Sequence, residues 1–120
     1  MSQIQNSKQY DLEERTFNFA RRVRQFVKKL TNTISVIEDG KQLIRASGSV
    51  GANYIEANEA LSKKDFVMRV KICRKEAKES RFFLGLIEVS KPDIEKEQKD
   101  LIKEATELMN IFGSIIRKLE

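Results

Sequence analysis

The chain of 120 residues contains no histidine and no tryptophan, one cysteine and one proline. Without an imidazole there is no Ser-His or Cys-His nucleophilic pair and no ordinary general base near neutral pH. The single Cys73 cannot close an intramolecular disulfide, and its place on an apolar stripe makes it a small buried hydrophobe. With Pro92 as the only proline, almost the whole chain is free to be helical. No run approaches the roughly 18 apolar residues of a membrane span, and no basic-then-apolar leader opens the chain, so a cytoplasmic protein without membrane contact is expected. A phosphate-cradling glycine loop is also missing, because Gly48 and Gly51 sit in helical context with no following lysine.

What is present is a helical rhythm. Phe66, Val70, Cys73, Ala77, Ser80, Leu84 and Ile87 step by 4, 3, 4, 3, 4 and 3, which aligns their side chains in one narrow seam. Leu12, Thr16, Phe19, Val23, Phe26 and Leu30 form a second seam, broadened by Phe17, Ala20 and Val27. A third comprises Ile94, Gln98, Leu101, Ala105, Leu108, Phe112, Ile115 and Leu119.

Asp11 with Glu14 reads as a capping box and Ser62 with Asp65 as a second helix start, while Ser90-Lys91-Pro92-Asp93 marks a turn that opens the last helix. A loose polar arm is therefore expected over residues 1–10 and one domain over 11–120, with a second helix at 36–61 and a third ending near 89. Gly40, Gly48 and Gly51 weaken the second helix by about 1 kcal/mol each relative to alanine, so close packing of its small residues has to hold it. The expected architecture is all-α: an antiparallel up-down-up-down four-helix bundle with left-handed crossings. Phe82, Leu86, Ile111 and Ile116 exceed the narrow seams and serve either self-association or a broader core.

Charge is unevenly distributed. The net charge is +5, and residues 61–91 hold nine Lys or Arg against four Asp or Glu, whereas residues 92–120 hold five against seven. Arg21, Arg24 and Lys28 share one stripe of the first helix, and Arg15, Arg22 and Lys29 recur every seven residues on another. Together with Lys71, Arg74, Lys75, Lys78 and Arg81 on the third helix, they suit phosphate contacts driven by counterion release. The same stripes equally suit pairing with acids of the fourth helix or of a neighbouring subunit. No recognition-helix motif supports base-specific readout.

Arg45, Ser49, Asn53 and Glu56, with Glu76 and Glu79, read as a hydrogen-bonded polar network that fixes register between helices or subunits. Glu56 with Glu59 and Glu76 with Glu79 are spaced i, i+3, but a di-iron bundle pairs such glutamates with histidine, so neither metal nor cofactor is expected.

The strings R-A-S-G-S-V-G-A-N-Y-I-E-A from Arg45 and S-K-K-D-F followed by K-I-C-R-K-E-A-K-E-S-R-F-F-L-G-L-I resemble the four helix bundle proteins encoded in intervening sequences of bacterial 23S ribosomal RNA genes. The resemblance covers about residues 10–118 and extends to the accessory variability proteins of diversity-generating retroelements. It implies an up-down bundle assembled as a homopentamer and a nucleic-acid-associated role without catalysis. Arg45, Ser49, Asn53, Glu56, Glu76 and Glu79 match its polar pattern, while Cys73 stands where a small residue such as alanine is usual and Phe83 where tryptophan or another aromatic is common. The expected function is thus a non-enzymatic, oligomeric, nucleic-acid-binding bundle. The alternative is a protein-interaction scaffold, or an accessory subunit for an enzyme such as a reverse transcriptase.

Overall fold

Helix starts coincide with the polar residues that can cap them. The computed structural model describes the backbone over residues 3–120 and the side chains over residues 12–120, as four helices: α1 Gln3–Lys28, α2 Ile34–Asn58, α3 Lys63–Leu86 and α4 Pro92–Leu119. The Thr33 side chain accepts from the Val36 N–H, the Ser62 side chain accepts from Asp65 N–H at 3.1 Å, and Pro92 opens α4 where a missing N–H costs nothing.

Two starts differ from expectation. Thr33 moves α2 to Ile34, and α1 begins at Gln3, so Asp11 is interior and does not start the helix. The side-chain cap between Asp11 and Glu14 and the arm expected over residues 1–10 lie outside the described side chains. α3 stops at Leu86 because the Ile87 backbone turns extended.

The three seams become one core. Leu12, Thr16, Phe19, Val23 and Phe26 of α1 are buried against Val70, Cys73, Ala77, Ser80 and Leu84 of α3 and Leu101, Ala105, Leu108 and Phe112 of α4, with Leu43, Val50, Tyr54 and Ala57 supplied by α2. Buried hydroxyls are satisfied within their own helices: Thr16 donates to the Leu12 carbonyl at 2.8 Å and Ser80 to that of Glu76 at 2.8 Å.

Phe17, expected to broaden the α1 seam, is instead 61% exposed beneath the Arg21 guanidinium, 5.9 Å from it. Near the end of α4 the buried position is Ile116, with Ile115 half-buried. Ile111 and Ile116 thus broaden the internal core, whereas Phe82 and Leu86 face outward.

Among the described residues the helices pack as α1–α2, α2–α3, α3–α4 and α1–α4, with no strands, so α1 lies diagonally across the core from α3. Thr16 faces Gly51 and Val27 faces Gly40; Arg45 meets Glu79 and Asn53 meets Arg69; Arg81 meets Thr106 and Lys71 meets Glu120; Arg15 meets Glu104 and Lys29 meets Glu97. In every pair, rising numbers on one helix face falling numbers on its neighbour. Gln98, expected only as a seam position, donates from Nε2 to the Leu84 and Ile87 carbonyls at 2.7 Å each, and so caps the end of α3 from α4.

Small residues bring α1 and α2 together. A Cβ built on Gly51 would stand 2.9 Å from Thr16 Oγ1, a buried β-branched side chain with little rotamer freedom, whereas one on Gly85 meets nothing within 4 Å. Gly51→Ala is therefore expected to be less stable than Gly85→Ala by about 1–3 kcal/mol in urea unfolding followed by circular dichroism. The Gly85 variant should range from neutral to about 1 kcal/mol more stable than the parent. Equal stability of the two variants would argue against a tight crossing at Thr16.

Candidate functional site

The basic residues separate into two faces on diagonal helices. Arg21, Arg22, Arg24 and Lys28 are exposed on α1, and Lys71, Arg74, Lys75 and Lys78 are exposed on α3, with Arg81 half-buried beside them. Because α1 and α3 lie diagonally across the core, the core divides the nine cations, and one protomer does not present them as a single surface. Sequence periodicity placed each residue correctly on its own helix. It carried no information about which helices would be neighbours.

Acid pairing sorts these cations further. Arg15 makes a two-pronged contact with Glu104 at 2.7 and 2.8 Å and reaches Glu107 at 2.7 Å, and Lys29 meets Glu97 at 2.9 Å. The Glu104 hydrogen bond holds the Arg15 pKa above the ordinary guanidinium value despite opposing desolvation. On α3, Lys71 meets Glu120 at 2.8 Å and Lys75 lies 3.8 Å from Glu79. Arg21, Arg22, Arg24, Lys28, Arg74 and Lys78 have no carboxylate within 4.0 Å among the described residues. Arg24 instead donates to the Ala20 carbonyl at 3.1 Å and lies across Gly48.

The polar residues gather between α2 and α3. Arg45 Nη2 donates to Glu79 at 2.7 Å, and Nη1 lies 3.5 Å from Glu76 Oε1, which has no hydrogen-bond partner although Glu76 is only 7% exposed. At that separation the guanidinium neutralises the buried carboxylate without donating to it. Asn53 donates to the Ser49 carbonyl at 2.9 Å and accepts from Arg69 at 3.1 Å, a partner the sequence reading missed. Arg69 falls on the α2-facing flank of α3, a signal visible only once the two helices are aligned. Glu56 is exposed, as is Glu59, and among the described residues it joins no ion pair. The contact therefore links helices within one chain through Arg45, Asn53, Arg69, Glu76 and Glu79.

Cys73 lies in the core between these faces. Burial pushes its thiol pKa up to about 12, keeping it protonated and unreactive at neutral pH.

Among the described residues, four packed helices without strands define a class of small all-α proteins. The chain belongs to the 23S rRNA-intervening sequence protein family, whose pattern matches residues 8–114. A solved structure from Bacteroides thetaiotaomicron VPI-5482, a protein of unknown function from the S23 ribosomal protein family, is 27% identical. It superimposes with a TM-score of 0.74, covering 88% of this chain and 97% of that one. None of the curated proteins matches this chain.

Arg45→Ala leaves Glu76 without its neutralising charge and is expected to cost about 1–2 kcal/mol in urea unfolding, against at most about 0.5 for Glu56→Ala. In a Glu76→Gln background the Arg45 loss should shrink; an unchanged loss would show that Glu76 is not what Arg45 serves.

Native Cys73 should resist a maleimide at pH 8 and react on unfolding. Because folding raises its pKa, the thiol's contribution to stability is complete below the unfolded value near ~8.5 and is lost as pH rises toward 12. Cys73→Ala should flatten that alkaline decline in urea-melt stability. An identical decline would assign it to other groups, such as Tyr54, whose pKa is also raised by burial.

Proposed function

We propose that this protein is a non-enzymatic, cytoplasmic bundle of up-down-up-down, left-handed topology that self-associates and binds the backbone of structured RNA or DNA through exposed helix cations. The opposed residue order across each helix pair supports the topology. The observation that carries the binding reading is that exposed cations without carboxylate partners among the described residues stand on two separate candidate faces, Arg21, Arg22, Arg24 and Lys28 on α1 and Arg74 and Lys78 on α3, while Arg15, Lys29, Arg45 and Lys71 are paired. Unneutralised cations on a rigid helix face favour release of condensed counterions when they contact phosphates. The free, protonated thiol of Cys73 is in keeping with a reducing compartment.

Self-association, with five copies as the resemblance implies, is supported by Met68, Phe82 and Leu86, which are 49, 60 and 48% exposed along α3. The same exposed apolar residues favour, as a second reading, a scaffold that meets a partner protein such as a reverse transcriptase. Light scattering at micromolar concentration should report a mass that is a multiple of 13.9 kDa; a monomer alone would remove the assembly.

Fluorescence anisotropy with RNA and DNA duplexes across a salt series tests the main reading. Affinity should fall with salt, log K decreasing by about 0.9 per phosphate contact for each unit of log salt concentration. No binding at low salt, or binding indifferent to salt, would overturn it. A protein partner retained after nuclease treatment would move the assignment to the scaffold.

A further inference from the structure

We infer that the phosphate backbone is held in the furrow between α3 and α4, and not on the α1 face. This rests on the nucleic-acid reading above and narrows it to one surface, with residues the sequence reading did not single out. Along α4, Lys103, Thr106, Asn110, Gly113 and Arg117 are spaced 3, 4, 3 and 4 and form a stripe alongside Lys71, Arg74, Lys78 and Arg81 of α3. The register is set by Arg81, which donates to Thr106 Oγ1 at 3.4 Å, and by Lys71, which meets Glu120 at the far end.

Gly113 shapes the floor. A Cβ there would meet Arg117 Nη1 at 3.3 Å and Arg74 Cδ at 4.0 Å, so arginines from both helices converge on the space left by the missing side chain. Neither Arg74 nor Arg117 has a carboxylate partner among the described residues, and an anionic oxygen taken up beside Gly113 would supply the opposite charge that both lack.

α4 keeps its acids elsewhere. Glu104 and Glu107 turn to Arg15, Glu97 to Lys29 and Asp100 to Lys96, so that Glu120, paired with Lys71 at one end, is the acid the furrow keeps among the described residues. On α1, by contrast, Arg21 and Arg22 share their surroundings with Glu14, Arg15 and Glu104, so the field there is mixed.

The stripe from Lys103 to Arg117 rises about 21 Å along α4, about the length of six base-pair steps along a duplex axis at 3.4 Å each. Thr106 and Asn110 add neutral hydrogen-bonding groups in its middle. The furrow therefore fits a backbone tracked by shape and charge.

Two double variants with the same change in net charge distinguish the surfaces. Lys78→Glu with Lys103→Glu alters the furrow, and Arg21→Glu with Arg22→Glu alters α1; all four side chains are exposed. With an RNA duplex and a DNA duplex as probes in low salt, the furrow variant should lose about tenfold or more in affinity and flatten the salt slope by nearly two, while the α1 variant stays near the parent. Lys78→Ala with Lys103→Ala should show a smaller loss in the same direction, guarding against misfolding of the reversed pair, and circular dichroism checks each fold. Loss confined to the α1 variant, or equal loss in both, would overturn the furrow while leaving nucleic-acid binding intact. A parent protein that binds neither duplex would overturn both.

Discussion

Helix α4 serves two neighbours at once, and burial of its apolar side decides which charges meet which helix. With Leu101, Ala105, Leu108 and Phe112 excluded from water, Glu97, Glu104 and Glu107 are aimed at α1, while Thr106 and Gly113 are aimed at α3. Rotating α4 about its axis to exchange these flanks would expose that apolar seam, at roughly 25 cal/mol for each Å² returned to water. Hydrophobic burial thus determines the electrostatic pattern. Ion pairs such as Arg15 with Glu104 refine the arrangement, since exposed pairs contribute only about 0–1 kcal/mol.

The α2 contacts depend on a different property, the absence of bulk. Gly40 and Gly51 let the α1 side chains Val27 and Thr16 approach closely, and the same helix sends Arg45 and Asn53 toward α3 from its other flank. Intrinsic propensity disfavours this glycine content in a helix, and tertiary packing on two sides overrides it. The buried Glu76 carboxylate is the polar counterpart of that constraint. It tolerates burial because α2 brings the Arg45 charge close, although one of its oxygens accepts no hydrogen bond.

The two basic faces have different surroundings. α1 carries Glu13 and Glu14 beside Arg15 and its other cations further on, and Arg15 of α1 and Lys29 just beyond it pair with acids of α4. On α3, Lys71 goes to Glu120 and Lys75 lies loosely against Glu79, while Arg74 and Lys78 have no carboxylate partner among the described residues. Its central cations lie alongside α4 where that helix is itself basic or neutral. The exposed Phe82 and Leu86 run beside this strip, bringing an apolar surface and a charged one together on a single helix.

Local spacing in the sequence was enough to determine the helices, their order, the Ser62 and Pro92 starts and nearly every seam residue, because helical periodicity is a short-range property of the chain. Local charge stripes were legible for the same reason: Arg21, Arg24 and Lys28, and likewise Lys71, Arg74 and Lys78, share a face by spacing alone. Tertiary structure decided the rest. That Phe17 stays outside, that Ile116 rather than Ile115 is buried, that Arg69 reaches Asn53, and that Arg74 of α3 borders Gly113 of α4 all depend on the azimuth and register of neighbouring helices. Those quantities come from packing many side chains together, and residues far apart in sequence hold no local record of which partner they will face.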